Sequence, residues 1–410
     1  DRSVSRGLGD VYKRQIILSV KNTSHLVLER QVQFMINTVK VCREEKTITQ
    51  DLLAKSIGIS RRSIVSIENG QSIPSVDIAI KISKVLDVPI DQLFIVENNG
   101  MKLAKHISYI DLFCGIGGFR YACNRSFDKL GIEGECVFSS DIDEYARESY
   151  NANFGEYPSG DITKINEKDI PDHDLLLGGF PCQPFSIIGL GKGFDDTRGT
   201  LFFDIARILK EKKPKAFVLE NVKRLVGHNG GKTFATILNV LRNLGYYVDH
   251  NIINALDCGL PQKRERVVII GSTKPFNMKW PDKVTDGKTL ADILESEVPQ
   301  KYYASDAIIK KRKSVHKSEY ELSVWHENKT GNISSYPYSC ALRAGASYNY
   351  LLVNGERRFT PRELLRLQGF PDSFKIVVND SQIRKQTGNA VPVDLISCVL
   401  DNFIPLIFND

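Results

Sequence analysis

Three short stretches of this 410-residue chain bring together side chains able to do covalent chemistry. In "GGFPCQPFS" (178–186) one cysteine, Cys182, stands between two prolines in a loop approached through glycines. In "ENV" (220–222) an acid, Glu220, and an amide, Asn221, close an apolar run. In "PQKRERV" (261–267) Arg264 and Arg266 fall on one side of an incipient strand by alternation. A thiol, an acid and two fixed cations converging on one edge make a covalent-catalysis site, and the guanidiniums favour thiolate over thiol. The plainer alternative for Glu220 with Arg266 is an ordinary ion pair. The eight cysteines are scattered, with no C-x-x-C and no Cys/His cluster at zinc spacing, so neither a metal nor a disulfide framework is expected.

A fourth stretch, "DLFCGIGGFR" (111–120), ends an apolar run and opens a helical pattern. Gly115, Gly117 and Gly118 let the backbone turn tightly and approach a ligand just before a helix N-terminus. Asp141, at the end of the next strand pattern, is placed for a ribose diol, and Asp161 in "SGDIT" for an adenine amino group. Together these residues favour an adenosine-bearing cofactor. The loop lacks the Gly-Lys-Ser/Thr ending of a triphosphate site. S-adenosylmethionine, which has no phosphates, fits with Phe113 packing on its adenine. A dinucleotide oxidoreductase is the competing reading at this point.

These residues need a scaffold, and the pattern around them supplies one. From 107 to 272 strand patterns alternate with helical ones: "ISYIDLF", "ECVFSSDI", "DLLLGGF", "KAFVLENV", "YVDHNIINAL" and "RERVVIIGST" read as strands. "GGFRYACNRSFDKL", "DEYARESYNANF", "TLFFDIARILKEK" and "KTFATILNVLRNLGY" read as helices. Such alternation predicts an α/β fold with a mostly parallel sheet, whose carboxyl edge would gather the glycine loop, Cys182 and Glu220. Residues 273–357 are irregular and rich in Lys, Ser, Tyr and Asn, and read as a smaller inserted domain or long loop set. Helical patterns resume at "TPRELLRLQGF" and "VDLISCVLDNF". A hydrophobic content of 42% and a charged content of 25% suit a globular chain of two or three domains. No apolar run approaches the ~18 residues of a membrane span, so no membrane partner is expected. A net charge of +6 mildly favours a polyanionic partner. Cysteine usage without a secretory signal points to a reduced cytoplasm.

Ahead of this region, residues 1–31 read as a disordered or artefactual tail, 32–97 as a run of short helices, and 98–106 as a polar linker. "QFMINTVKVCREEK" is amphipathic. Thr49 and Ser60 are N-cap candidates, Gly58 marks a turn, Gly70 is a C-cap candidate and Pro89 starts a last helix. Two short helices joined through a glycine turn make a helix-turn-helix, and the order Gln50, Ala54, Gly58, Ile59, Ser60, Ile64, Ile67, Glu68, Gly70 resembles its phage-repressor class. The N-terminal residues of the second helix, Ser60, Arg61, Arg62 and Ser63, would then enter the major groove, with Gln50 on a phosphate. A helical docking or dimerisation domain is the alternative.

"DLFCGIGG", "GFPCQPFS", "ENV", "QKRER", "FTPRELLRLQGFPDSF" and "QTGNAVP" occur in the order found in bacterial DNA (cytosine-5) methyltransferases of restriction–modification systems, which the chain resembles from about residue 107 onward. The resemblance implies a Rossmann-like S-adenosylmethionine-dependent catalytic domain at 107–272 and 358–410, with a target-recognition domain at 273–357 between its halves. It implies Cys182 as the nucleophile toward cytosine C6 and Glu220 on N3 and the exocyclic amine. Asn221 would support that geometry, and Arg266, with Arg264 behind it, would bind the O2 side and nearby phosphate or acid. Cofactor contacts carry over to Phe113, Gly115, Ile116, Gly117, Gly118, Asp141, Ile142, Asp161, Ile162, Pro181 and Leu201, with Asn389, Ala390 and Val391 closing the pocket. DNA contacts carry over to Gln183, Ser186 and Arg343. The family's Thr-Leu pair is replaced by Ala341-Leu342 in "CALRAGASYNY". The implied partners are double-stranded DNA at the catalytic unit, expected to act as a monomer, and operator DNA at the helix-turn-helix, whose dimerisation is left open. The implied setting is the bacterial cytoplasm, at the nucleoid. Regulation of its own operon is compatible with methylation. The rival readings are a chain that is primarily a transcriptional regulator and a transfer-RNA cytosine-5 methyltransferase. The second is disfavoured by the long insert and the added DNA-binding domain.

Overall fold

The structure is a computed structural model that describes residues 35–69, 72, 74–96, 105–181 and 201–408. Cys182, Gln183 and Ser186 lie outside the described residues, as do the 1–31 tail and 98–104 of the linker. The chain separates into two units, Asp1–Lys102 and Leu103–Asp410.

In the first unit β1 (Met35–Asn37) leads into α1 (Val39–Glu45), α2 (Gln50–Ile57), α3 (Arg61–Glu68), α4 (Val76–Leu86) and α5 (Ile90–Leu93). β2 (Phe94–Val96) then pairs antiparallel with β1. Local chemistry explains the central pair of helices. Thr49 accepts from the Leu52 N–H to cap α2, Ser60 accepts from the Ser63 N–H to cap α3, and Gly58 ends α2 in the left-handed region at φ 76°. The C-cap of α3 is Asn69; Gly70 lies outside the described residues. Leu53, Ile57, Ile64, Ile67, Ile82 and Leu86 share one buried cluster. Beside it the Arg43 guanidinium grips both oxygens of Glu68, at 2.6 and 3.2 Å, and donates to the Ile48 carbonyl. One expectation is corrected. The amphipathic stretch 33–46 is not helical throughout, because Met35–Asn37 is drawn into a ladder with residues at the far end of the unit.

The second unit opens with β3 (Lys105–Leu112), α6 (Gly118–Leu130), β4 (Ile132–Ser140), α7 (Glu144–Phe154) and β5 (Leu175–Gly179). α8 (Leu201–Lys212), β6 (Ala216–Val222), α9 (Arg224–Gly227), α10 (Lys232–Asn243), β7 (Tyr247–Asn254), β8 (Gln262–Lys263) and β9 (Glu265–Ser272) follow. Six strands form one sheet in the order β4-β3-β5-β6-β9-β7, parallel except for β9, which runs antiparallel to both neighbours. Strand alternation splits the sheet's side chains between two cores. Tyr109, Leu175, Leu177, Val218 and Ile270 join α6 on one face. Ile110, Leu176, Phe217, Leu219 and Ile269 join α8 and α10 on the other. β4 and β5 flank β3, so strand order reverses there and opens a crevice at the carboxyl edge.

Residues 273–357 are more regular than their composition suggests. They contain α11 (Leu290–Ile293), α12 (Asp306–Val315), β10 (Val324–Glu327), β11 (Ile333–Tyr336), β12 (Ser339–Cys340) and β13 (Leu351–Val353). β10 is the centre of an antiparallel sheet in the order β11-β10-β13, over a cluster that includes Leu290, Val324, Leu342, Tyr350 and Phe359. β12 pairs in parallel with β8, tying the insert to the two residues just before Arg264. α13 (Pro361–Leu367), α14 (Asp380–Asn389) and α15 (Val393–Phe408) complete the chain. The α14–α15 stretch, Asp380–Phe408, has the length and composition to cross a membrane, but 67% of its apolar window is buried. α15 packs on α6, with the Ser126 hydroxyl donating to the Ser397 carbonyl, and is a core helix of this unit.

Candidate active site at the carboxyl edge of the sheet

A cavity of about 460 Å³ sits at the crevice. Phe113, Cys114, Gly115 and Ile116 enter from the β3–α6 loop, Asp141 and Ile142 from the end of β4, and Asp161 and Ile162 from the turn beyond α7. Pro181 and Leu201 line it from either side of residues 182–200, and Asn389, Ala390 and Val391 come from the α14–α15 junction. The Asp141 carboxylate accepts from the N–H groups of Gly115 and Asp143, both at 2.8 Å. Burial raises its pKa while those two bonds pull it down. Asp161 accepts from the Thr163 hydroxyl at 2.8 Å and the Thr163 N–H at 3.1 Å, which hold its carboxyl below the usual range. Ile142 is 74% exposed although apolar. Phe113 has a positive φ of 56°, the sparsely populated region that non-glycine residues occupy where the surroundings force it.

Two expected contact residues do something else. Gly117 and Gly118 do not line the cavity. A Cβ on Gly117 would lie 2.3 Å from the Phe154 ring, and one on Gly118 would lie 2.6 Å from the Val391 carbonyl oxygen. These glycines let α7 and the last motif close over the loop. Cys114, Ser140, Asp143, Phe180, Gln386 and Gly388 also line the cavity and were not singled out from the sequence. Gln386 and Gly388 stand in "QTGNAVP", so their motif was visible although their roles were not.

At the inner end of the same cavity Glu220 accepts from Arg266 Nε at 2.6 Å, both side chains nearly buried. Burial pushes the Glu220 carboxyl up, and the guanidiniums of Arg266 and Arg264 oppose this. Gly179 at the end of β5 is the register partner of Glu220, and Asn221 Nδ2 donates to the Phe180 carbonyl at 2.8 Å. The backbone that leads to Cys182 is thereby pinned beside the acid. Arg264 departs from the expectation of a phosphate- or acid-binding cation. It is fully buried and, among the described residues, donates only to the carbonyls of Leu342, Gly388 and Ala390. Burial and the Arg266 cation lower its pKa to about 9, so it stays charged at neutral pH.

The DNA-contact candidates divide similarly. Arg61, Arg62 and Ser60 are exposed at the start of α3. The Ser60 and Ser63 hydroxyls bond each other at 2.8 Å. Gln50 is turned inward from the expected phosphate position, with its amide donating to Glu68 at 2.9 Å. Arg343 is exposed, its guanidinium 4.8 Å over the Tyr350 ring. No group of three or more His, Cys, Asp and Glu fit to hold a metal occurs among the described residues.

This is the fold and site of a methyltransferase. The chain belongs to the C-5 cytosine-specific DNA methylase family, whose model matches residues 107–404, and a helix-turn-helix family model matches residues 39–93. It is a DNA (cytosine-5) methyltransferase. It is 55% identical over 290 residues to the type II methyltransferase M.NgoBI of Neisseria gonorrhoeae, covering 70% of this chain and 90% of the relative. It is 41% identical over 385 residues to the type II methyltransferase M.SsoII of Shigella sonnei, covering 90% of this chain and 97% of that one, so the likeness reaches into the first unit. A solved mutant of Spodoptera frugiperda DNMT2 shares the fold at a TM-score of 0.58 and 21% identity, over 74% of this chain and 100% of that one.

Beside the glycine loop Asp111 is fully buried, and neither carboxylate oxygen has a partner among the described residues. Desolvation pushes its pKa well above the ordinary value; Arg120 opposes this, while Asp141 and Glu156 add to it. A carboxyl whose native pKa is raised contributes stability that is complete below its ordinary pKa and is lost as pH rises through the native value. Asp111→Asn, which mimics the neutral form, is therefore expected to fold at least as stably at alkaline pH and to flatten the fall of Tm with rising pH. Melting curves across a pH series check this; a variant series parallel to the wild type contradicts it.

Proposed function

We propose that this chain methylates C5 of a cytosine flipped out of duplex DNA at a specific sequence, using S-adenosylmethionine, and so protects host DNA from a cognate restriction endonuclease. The observation that carries this reading is that one cavity is lined both by the adenosine-type residues and by the Glu220–Arg266 pair. The residues suit the sulfonium cofactor better than a dinucleotide. Both lining guanidiniums are committed, one to Glu220 and one to carbonyls, and no lysine lines the cavity among the described residues, so no free side-chain cation there meets a pyrophosphate. Asp141 and Asp161 supply acceptors for ribose hydroxyls and an amino group, while Ile142, Ile162 and Phe113 offer apolar faces to adenine. When bound, S-adenosylmethionine supplies the electrophilic methyl group that C5 takes up.

The chain's own residues do the rest. Cytosine C5 is a poor nucleophile until the Cys182 thiolate adds to C6 and gives the ring enamine character. Glu220 holds N3 and the exocyclic amine, protonating or hydrogen-bonding N3 as charge develops, and burial raises its pKa against the pull of Arg266 and Arg264. Asn221 steadies the strand end that carries the thiol. Arg266 orients Glu220 and meets the O2 side. A base acting through water then removes the C5 proton; its electron pair restores the C5–C6 double bond, and the thiolate leaves with the C6–S bonding pair. The target must leave the stack for this. Free-thiol chemistry suits a reducing bacterial cytoplasm. Through Arg61 and Arg62 the first unit would bind operator DNA and regulate the chain's own transcription. That the N-terminal residues of α3 stand exposed beyond a capped helix start favours this second activity.

Bisulfite sequencing of DNA from cells expressing the wild type should show one discrete sequence methylated, and Cys182→Ser should abolish that signal by about 100-fold or more. Full methylation by the serine variant would refute the covalent route. In the full chain, the double substitution Arg61→Ala and Arg62→Ala should abolish gel-shift binding to the protein's own promoter while methylation persists. Unchanged promoter binding would remove the regulatory reading.

A further inference from the structure

We propose that Arg264 is a positioning residue that couples the target-recognition segment to the cofactor pocket, a role that rests on the function proposed above. Its guanidinium, in a residue 1% exposed, links three backbone positions: Nη1 donates to the Leu342 carbonyl at 2.8 Å, and Nη2 to those of Gly388 at 3.0 Å and Ala390 at 2.9 Å. Leu342 opens the loop that presents exposed Arg343, whereas Gly388 and Ala390 are wall of the cavity. The two segments also touch directly. A Cβ on Gly388 would stand 2.3 Å from the Ala344 nitrogen and 2.8 Å from the Arg343 carbonyl carbon, so the loop backbone rests on the pocket wall with no space between.

Neighbouring side chains hold the same loop from other sides, Arg384 from the helix that also carries Gly388. Gln262 grips the same loop, accepting from the Leu342 N–H at 3.1 Å, but its amide donates to Leu367 and not to the pocket wall. On the outer side Arg384 lies 4.4 Å over the Tyr348 ring and donates to the carbonyls of Ala346 and Ser347. The loop is therefore held by side chains at both its start and its far side. Burying a cation against carbonyls alone costs more than an apolar side chain of similar volume would. The planar fork reaches these carbonyls from two separate nitrogens, whereas lysine's three donors radiate from a single one. DNA that displaces the loop moves the Leu342 carbonyl, the guanidinium follows, and Gly388–Ala390 follow in turn. Linkage makes the effect reciprocal, so a filled cofactor pocket biases the loop toward its DNA-bound position.

The test measures the Kd of S-adenosylhomocysteine with and without a duplex carrying the site mapped by bisulfite sequencing, with a scrambled duplex as control. In the wild type the cognate duplex should tighten binding about fivefold or more, and in Arg264→Lys the ratio should fall to within about twofold of unity. Gln262→Met, which loosens the loop without touching the pocket wall, should keep the wild-type ratio. An unchanged ratio in Arg264→Lys, or a collapsed one in Gln262→Met, overturns the proposal. Should Arg264→Lys not fold, hydrogen exchange on the wild type decides. Protection of 386–391 by cognate duplex alone, and of 342–346 by S-adenosylhomocysteine alone, supports the coupling; protection confined to each ligand's own segment refutes it. A wild type that methylates DNA yet lacks the coupling removes this inference only, whereas a wild type that methylates nothing removes the proposed function.

Discussion

The site depends on one reversed strand. In a parallel sheet every strand begins at the edge opposite the ligand crevice, so a motif at the start of a strand would lie about a strand's length from the chemistry. β9 runs antiparallel to β6, and its first residues therefore reach the carboxyl edge, with Val222 and Arg266 in register. Alternation then puts Arg266 on the same face as Glu220, close enough for the 2.6 Å ion pair. Without this reversal the acid on β6 would be buried with no cation, an arrangement that costs several kcal/mol.

Around that pair the chain uses backbone contacts more than side-chain pairs to hold its geometry. Asn221 fixes the carbonyl two residues before Cys182, Gly115 donates to Asp141, and Arg264 gathers carbonyls from the insert and from the last motif. Glycine at 118 and 388 is needed because backbone of another segment occupies the space a Cβ would fill. The cavity is thus assembled from loops of the first half, the arginine motif and the C-terminal helices, and none of these parts forms it alone.

Much of this was legible in the sequence, for local reasons. The βα alternation, the caps at Thr49 and Ser60, the glycine loop, Asp141, Asp161 and Glu220 all follow from residue types at short spacing. What escaped notice depends on partners distant in the chain. Arg264 read as a second active-site cation because nothing local shows that its acceptors lie 78, 124 and 126 residues away. Gln50 read as a phosphate contact because Glu68 meets it only after α2 and α3 fold together. The β1–β2 ladder and the three-stranded sheet of the insert were missed because their strands are three or four residues long, too short for alternation to register. α14 was missed because its sequence is polar over most of its length, leaving only "QTGNAVP" as a signal.

The central claim is a transient bond between Cys182 and cytosine C6 beside Glu220. The most direct measurement replaces the target cytosine in a duplex by 5-fluorocytosine, whose C5 carries no removable proton, so the adduct cannot break down after methyl transfer. In the presence of S-adenosylmethionine the account predicts a denaturation-resistant protein–DNA complex, with peptide mass spectrometry placing the methylated base on Cys182. Turnover without any trapped complex, or a complex formed through another residue, would contradict it.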